Sequence, residues 1–197
     1  MSGLLGHRGL LLKADVAPGW DPAFLDSLVA LSNNNLTATK TSGGHATGAT
    51  RSVQSRSSGK WYFEVSKDNI IGPGVGVCTG SMSTASNVGD TSASWGLITG
   101  WGGKYHAASS NSYGSGFSAG DIVMVAVDLD NGRIWWGKNG SWFASGDPAA
   151  GTNAAYSNLS GAIYAAVSPG PTPGSATAQF AAPFAHTPPA GFSAWGG

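Results

Sequence analysis

Two Asn-Gly pairs eight residues apart, Asn131-Gly132 and Asn139-Gly140, constrain this chain more than any other feature. Each is read as a tight type I′ turn, whose two central residues take positive φ, so strands must enter and leave both. The strand expected ahead of the first turn, Ile122 to Val127, is apolar at nearly every position. Continuous rather than alternating apolarity predicts a strand covered on both faces, as in the middle of a sandwich. Earlier in the chain, Trp61, Phe63 and Val65 fall on one side of a predicted strand and Tyr62 and Glu64 on the other, so the first set is expected in the inter-sheet core. Val29 to Lys40 reads as strand, Asn33-Asn34-Asn35 turn, strand, and Gly161–Ser168 and Ala176–Phe180 read as closing strands. The stretches Thr79–Asp90 and Gly102–Gly120 are rich in small polar residues and are expected as loops.

At 197 residues the chain suits one all-β domain with a short extension. Residues 1–28 are expected as an N-terminal arm or anchor, residues 29–192 as the sandwich, and residues 193–197 as a tail. The arm could strap the domain's own sheet or dock on another protein. Within it, Asp21-Pro22 reads as the start of a short helix presenting Phe24, Leu25 and Leu28 on one face. Trp195 in the tail suits packing back or reaching a partner equally well. Charged residues make up 10% of the chain and the formal net charge is zero, so no long-range field favours nucleic acid or an anionic membrane as a partner. A single cysteine, Cys78, excludes an intrachain disulfide framework and is expected as a small buried apolar side chain. Eight tryptophans, five tyrosines and seven phenylalanines supply the packing instead. Gly6, His7, Arg8 and Gly9 interrupt the N-terminal leucines, leaving no apolar run of signal-peptide length, and no stretch is long enough to span a bilayer.

The segment Asp128-Leu129-Asp130-Asn131-Gly132, followed by an aromatic strand and Lys138-Asn139-Gly140, resembles the core of a SPRY (B30.2-like) domain. Gly59 to Val65, Gly74 to Val77, Trp95-Gly96, Phe117 with Gly120-Asp121, Ala166 to Ser168, and Pro183-Phe184 ahead of Pro188 to Phe192 follow in the order that family shows. Trp136-Gly137 and the Pro169–Gly174 segment depart from its pattern. The resemblance implies a bent two-sheet antiparallel β-sandwich of the concanavalin-like jelly-roll kind, and a binding module that holds a protein partner with loops at one edge. The chain looks most like stand-alone SPRY domains of bacteriophages and prophages. That implies a virion protein, made in the host cytoplasm, attached to another virion protein through its N-terminal arm, and facing a host-surface protein or glycan. A homo-oligomer is compatible with this picture.

No arrangement of residues supplies the nucleophile, base and oxyanion donor of an enzyme, so no catalysis and no cofactor are expected. Gly116-Phe117-Ser118-Ala119-Gly120 matches the Gly-x-Ser-x-Gly elbow in letters, but a loop precedes it and a strand follows, so it reads as a turn. Glu64 with Asp128 or Asp130 could be drawn as a glycosidase pair, with strand-edge hydrogen bonding the simpler role. The histidines, His7, His45, His106 and His186, lie too far apart for a metal motif. Arg51, Arg56 and Lys60 form a sparse basic run that reads as a solvated strand face. The candidate ligand-binding residues are Trp95, Trp101, Tyr105 and Tyr113, the aromatics nearest glycine-rich loops, where an exposed ring can stack on a sugar or grip a peptide. The same rings also suit core positions.

Overall fold

The computed structural model describes residues 17–44, 47–68 and 72–197. It is built almost entirely of strands: β1 Trp20–Leu25, β2 Val29–Ser32, β3 Thr37–Lys40, β4 Thr50–Arg56, β5 Lys60–Lys67, β6 Pro73–Thr79, β7 Ser94–Ile98, β8 Gly103–His106, β9 Ser109–Asn111, β10 Ile122–Asp128, β11 Arg133–Lys138, β12 Ser141–Trp142, β13 Ile163–Val167, β14 Ser175–Gln179 and β15 Ser193–Ala194. They form two sheets. One runs β1-β4-β13-β6-β7-β8-β9, and the other runs β12-β11-β10-β5-β14-β3-β2, with β15 added in parallel to β5. All other pairings are antiparallel, as expected for a jelly-roll-type sandwich.

The inter-sheet core follows from strand alternation. Phe63 and Val65 of β5, Val123, Val125 and Val127 of β10, and Ile134 and Trp136 of β11 meet Val75, Val77, Trp95, Leu97, Ile163 and Val167 of the opposite sheet. Tyr62, Met124, Ala126 and Trp135 point the other way into a second buried cluster, covered by Trp142, Phe184 and Phe192. β10 is therefore covered on both faces, as its unbroken apolar run predicts. Trp195 is fully buried and packs edge-on against Phe63 with centroids 5.5 Å apart, so it packs back on its own domain.

The region expected as a helix is β1. Trp20 pairs with Ser52 and Leu25 with Thr50 on β4, and Trp20 is fully buried against Phe180. Asp21 does act locally: its Oδ1 accepts the Ala23 amide at 2.8 Å, but this makes a turn-like kink in a strand rather than a helix cap. Residues 1–16 of the expected arm lie outside the described residues.

The two Asn-Gly turns differ. Asn139 and Gly140 both have positive φ, 48° and 89°, and Lys138 pairs with Ser141 across them, which is the two-residue type I′ hairpin expected. The first loop is longer: Asp128 pairs with Arg133, and of Asn131 and Gly132 the second alone has positive φ, 63°. Its shape comes from the Asp128 carboxylate, which accepts the Asn131 backbone amide at 3.1 Å and side-chain amide at 2.9 Å, so the type I′ expectation fails here. A Cβ on Gly132 would also fall 2.6 Å from the Leu159 carbonyl oxygen.

Candidate functional site

The span Gly102–Gly120, expected as loop, contains the β8–β9 hairpin at one end of the seven-stranded sheet. Its turn is Ala107-Ala108, both with positive φ, 51° and 59°, and both amides are tied to the neighbouring loop, Ala107 to the Thr91 carbonyl and Ala108 to the Gly89 carbonyl. Alanine in this region is strained, because its Cβ crowds the carbonyl oxygen. β9 pairs with β8 alone, and Ser109, Ser110 and Asn111 are all exposed. The sheet therefore ends in a short open edge.

Alternation along β8 sorts the candidate aromatics onto two faces. Lys104 and His106 turn towards the sandwich interior. The His106 ring stacks on Trp95 at 4.8 Å with a 5° interplanar angle and its Nδ1 lies 2.8 Å from the Ser94 carbonyl oxygen. The Lys104 ammonium donates to the Ala155 carbonyl at 2.8 Å and lies 5.0 Å from the Tyr156 ring centroid. Trp95 is buried, and its indole N–H donates to Asn158 at 2.9 Å. Tyr113 packs edge-on to Trp136 and Phe143, and burial pushes its hydroxyl pKa up to about 12. Trp95, buried, and Tyr113, half-buried, are therefore packing residues of the inter-sheet rim.

Gly103 and Tyr105 share the opposite, outward face of β8. Trp101, in the turn between β7 and β8, folds back over Gly103 so closely that a Cβ there would fall 2.0 Å from the indole. Tyr105 lies in the same way over Gly89, and its hydroxyl donates to Asp90 at 3.1 Å. Burial, then the hydrogen bond to Asp90 and the charge of that carboxylate, raise the Tyr105 pKa and keep the hydroxyl a donor. The fold thus brings Trp101 and Tyr105 together beside the open β9 edge and separates them from Trp95 and Tyr113. Trp101, 44% exposed, is the sole large hydrophobic side chain exposed among the described residues.

The other motifs have structural roles. Ser118 of the Gly-x-Ser-x-Gly match is exposed in a turn, and its amide donates to Asp121 at 2.7 Å. Lys138, that amide and Asn139 hold the Asp121 carboxyl down to about 2. Glu64 and Asp128 stand four positions apart on paired strands, since Glu64 faces Met124 and Lys60 faces Asp128. At roughly 3.3 Å per residue that is ~13 Å, outside glycosidase range. Glu64 is buried and accepts hydrogen bonds from the Tyr62 hydroxyl at 2.6 Å and the Ala185 and His186 amides at 2.8 and 2.9 Å. Cys78 is buried, which pushes its thiol up to about 12 and leaves it inert.

The basic run is not a solvated face. Arg51 lies between two aromatic rings, Arg56 lies 4.0 Å from the Trp61 ring centroid and donates to the Trp195 carbonyl, and Lys60 is 3.5 Å from Asp128. The sequence alone does not disclose the packing roles of His106, Lys104 and Tyr156. Reading the two-residue period through 103–106 would have found the first two; Tyr156 carries no such signal.

The SPRY domain of human HERC1 superposes with a TM-score of 0.66 at 21% identity, over 81% of this chain and 96% of that one. Stonustoxin superposes with a TM-score of 0.63 at 17% identity, over 84% of this chain; the chain spans about a quarter of the toxin, 27%. At these identities the likeness shows the fold. No curated protein matches the chain by sequence. Residues 60–182 match the SPRY domain family itself, more than half of the chain, and with the two-sheet architecture around them they establish that this chain belongs to the SPRY domain family.

Proposed function

We propose that the chain is a non-catalytic interaction module that holds a protein partner on the outward face of β8, with Trp101 and Tyr105 as the contact residues and the β9 edge beside them. The observation that carries this reading is the pairing of one exposed indole with a tyrosine on a single strand face, each seated on a glycine. Aromatic anchors of this kind dominate binding energies because they shed a large apolar area from water while losing little side-chain entropy.

In its finer form, the proposal places the chain on a bacteriophage particle, with the residues before β1 as the anchor and the β8–β9 end directed at a host surface. Support for that form is the sequence resemblance to stand-alone phage versions. Quantitative mass spectrometry of purified particles should then find the chain at a fixed ratio to the major coat protein, and its absence would remove the particle reading. On such particles, Trp101→Ala and Tyr105→Ala should each weaken host adsorption about tenfold or more while leaving the chain folded at the assay temperature. Unchanged adsorption would remove the β8 face as the contact. A carbohydrate ligand is the second reading, favoured by the exposed Trp101 ring; glycan-array binding that both substitutions abolish would select it.

A further inference from the structure

At the other end of the seven-stranded sheet, Arg51 presents a cation with no counter-ion among the described residues. On β4, Ser52 turns inward, where its hydroxyl oxygen accepts the Ala165 amide at 3.0 Å, so Arg51 points outward. The strands flanking β4 each supply a ring: Phe24 from β1 and Tyr164 from β13, with centroids 4.0 and 4.1 Å from the guanidinium carbon. A guanidinium clamped between two rings is oriented and partly desolvated. Beneath it lies the buried apolar cluster of Ala49, Cys78, Met82, Val88 and Ala166.

Its donors are mostly unspent. Among the described residues, Nη1 reaches the Gly80 carbonyl at 3.3 Å and the buried Nε has no acceptor. Among the described residues, the ion pairs within 4.0 Å are Lys60–Asp128 and Lys138–Asp121, and neither involves Arg51. A positive charge partly shielded from water by two rings and an apolar floor, with no carboxylate paired to it among the described residues, is electrostatically incomplete.

We propose that Phe24, Arg51 and Tyr164 form a recognition site for the carboxylate of an Asp or Glu side chain on an otherwise apolar segment of a partner protein. The guanidinium fork matches a carboxylate, and the ring edges offer apolar contact to its neighbours. A phosphorylated segment fits less well, because phosphate recognition draws on clusters of arginines and, among the described residues, no second cation stands over either ring. A polyanion fits less well again, since the chain's formal net charge is zero.

The test is an NMR titration of the full ¹⁵N-labelled chain with the capped peptide Gly-Leu-Asp-Leu-Gly and its counterpart carrying Asn for Asp. The Asp peptide should shift the Arg51 Nε–H resonance saturably, and the Asn peptide should bind at least about tenfold more weakly. Arg51→Lys, which keeps the charge but loses the planar fork, should also weaken the Asp peptide about tenfold while leaving the rest of the amide spectrum in place. Equal affinity for the two peptides, no binding of either, or tighter binding of inorganic phosphate than of the Asp peptide would overturn the proposal. The peptide comparison needs no variant, so a poorly folded Arg51→Lys would not rescue it. Trp101→Ala should leave the titration unchanged, which keeps this site's failure distinct from that of the β8 face.

Discussion

Glu64 shows how much can hang on one side chain. Its alternation with Phe63 and Val65 places it on the outer face of β5, which is legible from the sequence, yet the amides of Ala185 and His186 that it binds lie more than 120 residues away. No local signal could have named them, because that pairing exists only once the C-terminal segment crosses the sheet. Three donors converge on two carboxylate oxygens, so Glu64→Gln would replace one acceptor with an amide facing N–H groups. Urea unfolding should show a loss of about 2–3 kcal/mol, since a buried donor left unsatisfied costs its desolvation. A loss below about 0.5 kcal/mol would mean that the segment 181–186 is held by Phe184 on Tyr62 instead, whose rings meet edge-on at 5.0 Å. Arg51 belongs to this scale too: its position on β4 was legible, but its ring partners on β1 and β13 were not, because flanking strands far apart in sequence set them.

Elements were legible where strand patterning and turn chemistry agreed, and obscure where one of them was missing. β5, β10, β11 and the β2–β3 hairpin announce themselves through apolar alternation or runs bounded by Asn and Gly. At β1 the Asp-Pro pair is a local capping signal that predicts a helix, and long-range pairing with β4 overrides it. β8 and β9 read as loop in the sequence because their strands are polar and their turn is Ala-Ala, which carries no turn signature. The missing strand pattern hides the face that Trp101 and Tyr105 share, although each residue stands out as an aromatic near a glycine-rich stretch. The alanine turn also makes a prediction. Changing Ala107-Ala108 to Asn-Gly should raise stability by about 1 kcal/mol, because two residues strained at positive φ become residues that adopt it readily, less the larger chain entropy of glycine. Both tertiary hydrogen bonds come from backbone amides and survive the change. Chemical denaturation that shows no gain would mean that those bonds, rather than local preference, set the turn's energy.

At the level of the whole molecule, the stretch that carries the family pattern is smaller than the sandwich. Residues 60–182 match the family, but the seven-stranded sheet places β4 and β1 outside β13, and both strands precede residue 60. Trp20 and Trp195 fall on either side of the match, and both are fully buried in the same inter-sheet core as Phe63 and Phe180. Ser52 ties the two flanks together, since its hydroxyl oxygen accepts the Trp195 indole N–H at 3.2 Å. Deleting a buried tryptophan side chain alone costs about 3–5 kcal/mol, against a typical domain stability of about 5–15 kcal/mol. A fragment of residues 60–182 would lose two such side chains, two strands of one sheet, and β2, β3 and β15 of the other. It should therefore lack the near-ultraviolet circular dichroism and dispersed amide spectrum that residues 17–197 retain. If the fragment kept both signatures, the flanks would be accessories to a core that closes without them. The failure of the fragment would instead show that the N- and C-terminal segments are wound into one sandwich, so that any partner-binding surface on β1 or β8 depends on chain from both ends.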